Sequence, residues 1–207
     1  MEPSMSHLKR SPTSLESLVT PLIEVMPGIL AKFECNNPGG SHKVRAAHEI
    51  IHTALDEGKL IPGKSTVIEK TGGGFGFGLI VACAKISVPV ELAVGLAFSK
   101  SKRISLQAFG ATLIGKDMLE AGKSPREVVE WHLDHSGELG KNYFYTDQFH
   151  NINSLRAHET QTGPEILKQL KALPQIDEIT FVACAGTGAS LTGIANCLSD
   201  AGYLLKT

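Results

Sequence analysis

The chain has 207 residues, 42% hydrophobic and 20% charged, and a net charge of −1. That supports a real core in one large domain or two small ones and excludes the basic footprint of a nucleic-acid binder, leaving a small molecule as the expected partner. No apolar leader opens the sequence, and no segment reaches the roughly eighteen apolar residues of a spanning helix, so neither export nor membrane insertion is expected. The four cysteines, Cys35, Cys83, Cys184 and Cys197, form no C-x-x-C pair, which fits reduced thiols in the cytoplasm.

After a loose tail over residues 1–14, the chain alternates short β-like runs with amphipathic segments. "PGILAKFEC" reads as a strand and "HKVRAAHEIIHTALDEG" as a helix ending at Gly58. "STVIEKT" is a strand, "FGLIVACAKIS" an apolar helix, "PVELAVG" a strand, and "SKSKRISLQAFG" a helix closed by Gly110. "ATLIG" is a strand, and "SPREVVEWHLDHSG" is a helix that Ser124 and Pro125 can start. "NYFYTD" is β-rich, "GPEILKQLKAL" helical, "EITFVACAG" a strand, and "TGASLTGIANCLSDAG" a helix opening from a glycine turn. Strands alternating with helices of this length predict an α/β fold with a mostly parallel sheet.

Three stretches carry chemistry. "ACAGTGASLTG" follows a strand and opens a helix, where free N–H groups and the helix dipole converge on an anion. It lacks the Walker lysine, and Leu191 stands where G-x-G-x-x-G needs its third glycine, which disfavours a nucleotide. A glycine turn that merely packs a helix on a sheet is the alternative. "TGGGFGFG", residues 71–78, has the same context and could receive a second anion such as a carboxylate. "NNPGGSHKVRAA" puts Lys43 in the first turn of a helix, where the dipole disfavours the ammonium and favours a nucleophilic amine; a solvated surface lysine is the alternative. "HEIIH", His48 to His52, matches the zinc-hydrolase pattern H-E-x-x-H, with Glu57 or Glu69 as conceivable third ligand, but helical spacing alone also explains it.

A nucleophilic lysine, a distant phosphate cradle and a carboxylate loop together describe pyridoxal phosphate bound to an amino acid. The chain resembles the fold type II pyridoxal-phosphate-dependent enzymes, the tryptophan synthase β-like group, and among them most nearly the cysteine synthases. "TPLIEV" and "ILAKFECNNPGGSHKVR" resemble the opening strands and lysine segment. "IEKTGGGFG" lies where the family carries T-S-G-N-T-G. "SKRISLQAFGATLIG" and "DQFHNINSLRAHETQTGPEI" match in order, and "GTGAS" is similar to the phosphate-binding G-T-G-G-T.

The resemblance implies two open, twisted, mostly parallel sheets flanked by helices, with the second domain incomplete. It assigns residues 15–47 and 151–207 to a truncated larger cofactor domain and 48–150 to a smaller mobile one. It implies pyridoxal 5′-phosphate as cofactor and no metal. Lys43 becomes the catalytic Schiff-base lysine, and Gly74, Gly186, Thr187, Gly188, Ala189 and Ser190 join it as cofactor-binding residues. Thr71, Gly72, Gly73, Phe75 and Gln148 bind substrate.

The implied reaction is β-replacement or β-elimination on an O-activated serine through an aminoacrylate. A non-catalytic scaffold or regulatory partner of the same fold is the second reading. Where the family has serine, asparagine and threonine side chains, this chain has Gly72, Gly74 and Phe75, so the loop is stripped toward its backbone. The sequence also stops near the start of an expected further strand. The implied partners are therefore a small amino acid and either a second copy in a homodimer or a polypeptide that completes the sheet.

Overall fold

A computed structural model describes residues 19–173 and 178–206. The tail expected over residues 1–14 lies outside the described residues.

The first described unit is an antiparallel hairpin of β1 (Leu22–Met26) and β2 (Ile29–Lys32), turned at Gly28 in the left-handed region. Helix α1 (Lys43–Asp56) then leads into β3 (Ser65–Lys70), α2 (Gly74–Ala84), β4 (Val90–Ala93), α3 (Lys100–Ala108) and β5 (Thr112–Leu113). Two helices, α4 (Lys116–Glu120) and α5 (Pro125–Asp134), precede β6 (Asn142–Tyr145). A capping box starts α5: Ser124 Oγ accepts from the Glu127 N–H, and the Glu127 carboxylate accepts from the Ser124 N–H.

The four strands form one parallel sheet in the order β5-β4-β3-β6. The chain steps outward from β3 through β4 to β5, then returns to place β6 on the other side of β3. In open parallel sheets the crevice beyond the carboxyl ends of the strands at such a reversal is where ligands bind. The last residues of β3 and β4 and the segment after β6 border that crevice.

The main core lies between this sheet and α1 and α2, around Ile50, Ile51, Phe75, Leu79 and Leu92. On the opposite face Ile68, Leu119, Val128 and Val129 form a smaller cluster under α5. The sheet is thus covered on both sides, as a parallel sheet requires.

The remainder is helical: α6 (Asn153–Ala157), one π turn (His158–Thr162), α7 (Gly163–Leu170) and α8 (Ala189–Asp200). Strands β7 (Glu178–Thr180) and β8 (Leu204–Lys206) pair in parallel. The expected strand "EITFVACAG" is therefore shorter than the sequence suggests: pairing stops at Thr180, with one further bond from Phe181 N–H to Lys206 O at 2.9 Å. "ATLIG" likewise pairs only at Thr112 and Leu113. Helix α2 starts three residues earlier than "FGLIVACAKIS" implies, inside the glycine-rich stretch. No described helix is long and apolar enough to cross a membrane, and all four cysteines are free thiols.

A charged cluster ties the hairpin to α1 and α7. Arg45, 4% exposed, pairs with Glu34 through Nε and Nη2, each at 2.8 Å, and with Glu165 through Nη1 at 2.8 Å. Lys32 also pairs with Glu165, and Thr20 donates to both carboxylates. Burial opposes the charged form of Glu34 and Glu165, but Arg45 and the other donors outweigh it and hold both below the usual carboxylate range. Lys43 lies two residues before Arg45, so this cluster fixes the first turn of α1.

Candidate active site

Lys43 is the first residue of α1, preceded by a turn with Gly39 and Gly40 at φ of +82° and +75°. A side chain at Gly39 would press on Phe77, 3.3 Å away, so the turn packs directly on α2. The Lys43 N–H donates to Ser41 Oγ at 3.3 Å, and its Nζ donates to Thr187 Oγ1 at 3.3 Å, across 144 residues of sequence. Burial lowers the Lys43 pKa and so raises the fraction of free amine. Desolvation, rather than the helix dipole that the sequence suggests, is the identified cause.

Thr187 belongs to the glycine turn that opens α8. Gly188 caps the helix at φ +80° without a side chain of its own, and no atom lies within 4 Å of where a Cβ would stand at Gly186 or Gly188. Thr187 Oγ1 also accepts from Ala189 N–H at 3.4 Å, and Ala189 and Ser190 are the first helical residues. A helix start whose N-cap is a glycine, beside a half-buried amine, is chemically suited to a phosphorylated aldehyde. The close helix packing that a third fingerprint glycine would supply comes instead from Gly193. A Cβ there would meet His158 Cβ at 2.9 Å and Leu155 O at 3.0 Å. His158 is buried and hydrogen-bonded to Thr162 at 3.0 Å; desolvation and neighbouring His42 hold its pKa down to about 3, so it stays neutral.

The stretch "TGGGFGFG" divides in two. Only Thr71 to Gly73 form the loop; Gly74 begins α2, and Gly76 and Gly78 are packing glycines inside it. This corrects the reading of the whole stretch as a loop. A Cβ on Gly78 would lie 2.8 Å from Val44 Cα, so this glycine allows α2 to approach α1. The first turn of α2 has no side-chain cap; the Gly76 N–H bonds to Gly73 O at 3.0 Å, which leaves those of Gly74 and Phe75 for an anion. Side chains at one loop position and at the first residue of α2 would collide with neighbours: at Gly72 with the Phe98 ring at 2.5 Å, and at Gly74 with Ser41 Oγ at 2.3 Å. Phe75 turns into the core and is 2% exposed.

Gln148 is buried at the carboxyl end of β6. Its N–H donates to Glu69 Oε2 at 3.2 Å, and its carbonyl accepts from Ser154 Oγ at 3.1 Å. Glu69 is fully buried and also accepts from Thr146 Oγ1 at 2.6 Å and Lys70 N–H at 2.9 Å. Burial raises its pKa against the pull of these donors. Glu69 thus fastens the Gln148 segment to β3, a role far from the zinc ligand conceivable from sequence. Glu57 faces Lys59 at 2.7 Å, and Glu49 of the H-E-x-x-H stretch accepts from Gln161 at 3.0 Å. Among the described residues no group of three His, Cys, Asp or Glu is placed to hold a metal ion.

A cavity of about 450 Å³ opens at the predicted crevice, bounded by Lys43, residues 71–75, Gly95 and Gln148. A second, of about 200 Å³, shares Gln148 and Phe149 with it and reaches Thr187, Gly188 and Ala189. The Lys43–Thr187 bond links the two. Gly186 and Ser190 flank the turn without bounding either space. The sequence reading missed Ser41 and Thr146, and it named Glu69 only as a conceivable zinc ligand. For the anchoring role of Glu69 a signal existed: it is the one carboxylate in the β-run "STVIEK" that ends at the loop.

The chain belongs to the pyridoxal-phosphate dependent enzyme family, whose model matches residues 11–205. Within that class it is similar to a cysteine synthase of Staphylococcus aureus, 36% identical over 174 residues, covering 82% of this chain and 52% of that protein. A cystathionine beta-synthase of Saccharomyces cerevisiae is 34% identical over 180 residues, covering 85% and 35%. Among solved structures, a hydrogen sulfide-producing enzyme from Fusobacterium nucleatum superposes with a TM-score of 0.77 at 29% identity, covering 97% of this chain and 65% of that one. A cysteine synthase from Entamoeba histolytica gives 0.76 at 28% identity, covering 100% and 62%. The fold is that of the fold type II pyridoxal-phosphate enzymes. The chain spans about half the length of the cysteine synthases it matches.

Proposed function

We propose that this chain carries the lysine, phosphate and substrate sites of a pyridoxal-phosphate-dependent enzyme that replaces or eliminates the β-substituent of an O-activated serine. The observation that carries the reading is the Lys43 amine, half-buried and 3.3 Å from Thr187 of the glycine turn that opens α8. Lys43, Thr187 and the first N–H groups of α8 would hold the cofactor, with Gly186, Gly188, Ala189 and Ser190 shaping the turn. The open space at Gly186 and Gly188 fits a phosphate approaching the backbone. When bound, the cofactor supplies an electron sink for the pair left on the substrate α-carbon.

The chain's own groups do the rest. Lys43 Nζ, its charged form disfavoured by burial, takes the α-proton as a general base. The Thr71–Gly73 loop and the first N–H groups of α2, with Gln148, hold the substrate carboxylate. The Phe98 ring and Ser41 hydroxyl stand where side chains at positions 72 and 74 would project, so Gly74 would meet the cofactor through backbone alone. We assign residues 15–47 and 151–207 to a larger cofactor domain and 48–150 to a smaller mobile one, in a cytoplasmic protein completed by a second copy or another polypeptide.

The stripped loop favours one competing reading, a non-catalytic partner of the same fold. Titrating the purified chain with pyridoxal phosphate, then with O-acetylserine or serine, separates them. A visible absorption band that changes on adding the amino acid, with release of its β-substituent, supports the enzyme. A chain that stays colourless in excess cofactor leaves the scaffold.

A further inference from the structure

We propose that Lys70 and Arg126 form an anion-selecting wall in the cavity beside Lys43, so that the amino acid bound there bears a second negative group on its β-substituent. This rests on the function proposed above and names the substrate class of that site. The charged residues lining the 450 Å³ cavity are Lys43, Lys70 and Arg126, and no carboxylate lines it. Lys43 serves the cofactor end and the α2 amides serve the α-carboxylate, which leaves two cations without a role in that reading.

Lys70 ends β3, with its side chain 19% exposed. It is steadied by a hydrogen bond to the Tyr145 hydroxyl and by the Phe149 ring, whose centroid is 5.6 Å from Nζ. It makes long ion pairs with Asp147 at 3.8 Å and Glu69 at 4.0 Å, carboxylates whose shorter bonds go elsewhere: Asp147 to His150 at 3.0 Å, Glu69 to Thr146 and Gln148. Arg126 lies in the first turn of α5, where Glu130 engages its Nε at 2.7 Å. A guanidinium has five N–H donors, so capacity for a further oxyanion remains. Glu130 and Asp147 line, with the same two cations, an adjoining cavity of about 130 Å³ but not this one. A cavity whose charged lining is cationic alone suits a phosphate or a second carboxylate better than a neutral ester.

The test is calorimetric binding of O-phosphoserine, O-succinylserine and O-acetylserine to the purified, cofactor-treated chain at low salt, needing no turnover. One or both anionic ligands should bind about tenfold more tightly than O-acetylserine, about 1.4 kcal/mol. Which of them does so distinguishes phosphate from carboxylate, and the preference should shrink with added salt. Lys70→Gln and Arg126→Gln should each reduce that preference; Arg126 is exposed, so its variant keeps the test valid if Lys70→Gln fails to fold. Equal or tighter binding of O-acetylserine, or a preference that survives both substitutions, overturns the wall. Borohydride trapping on Lys43 keeps the two levels apart: an adduct without anion preference removes only the wall, and no adduct removes the proposed chemistry beneath it.

Discussion

An alanine at position 78 should destabilise the protein, although alanine in a helix interior ordinarily gains about 1 kcal/mol over glycine. Helix α2 sets Gly78 against the first turn of α1, where an added Cβ would come 2.8 Å from Val44 Cα, 3.1 Å from Val44 N and 3.0 Å from Ala47 Cβ. None of these atoms can rotate away, so the helices must separate. Over-packing of this kind costs about 1–3 kcal/mol, and the rigid neighbours place it near the upper end. Subtracting the propensity gain leaves a net loss of about 1–2 kcal/mol. Val44 follows Lys43, so the displaced turn is the one carrying the candidate amine, and cofactor affinity should fall with stability. Urea denaturation followed by circular dichroism should show a lower midpoint at unchanged slope. Gly73→Ala is the stability control, because Gly73 has open space around it and a φ of −119°. A Gly78→Ala protein as stable as its parent would refute the close helix contact.

Other consequences concern buried charge. Arg45→Met strands Glu34 and Glu165 and should lower stability by about 3–5 kcal/mol in the same denaturation assay, with Arg45→Lys recovering only part because it lacks the two-pronged geometry. Glu69, whose pKa burial raises, contributes stability that is present below the ordinary glutamate range and lost as pH rises through its folded pKa. Glu69→Gln should remove that decline from a melting-temperature profile upward from about pH 4.5. His158 has the opposite sign: neutral when folded, with a pKa near 3, it loses stability as pH falls below 6.5. Its imidazole resonances should show no titration between pH 5 and 8.

The amphipathic helices were legible because one face of each is apolar, as in α1 with Val44, Ala47, Ile51 and Ala54 buried. Helix α2 was harder to delimit: it is apolar all round, and its glycines look like loop until Val44, Leu92 and Leu106 are seen to crowd them. The end of "EITFVACAG" reads as strand by composition, yet Val182 is 84% exposed and the pairing has already ended. The candidate lysine and cradle could each be nominated from local pattern. Their meeting could not, since a 144-residue separation is a property of the fold. The anchoring role of Glu69, and Thr146 and Ser41 altogether, escaped for the same reason, each acting through a partner distant in sequence or hidden by a turn.

Borohydride reduction of the cofactor-loaded chain, followed by peptide mapping, bears most directly on the central claim that Lys43 is the cofactor-bearing amine. The expected result is one pyridoxyl adduct, on the peptide containing Lys43, absent from Lys43→Arg. An adduct scattered over exposed lysines equally in protein and variant, or none at saturating cofactor, would contradict it.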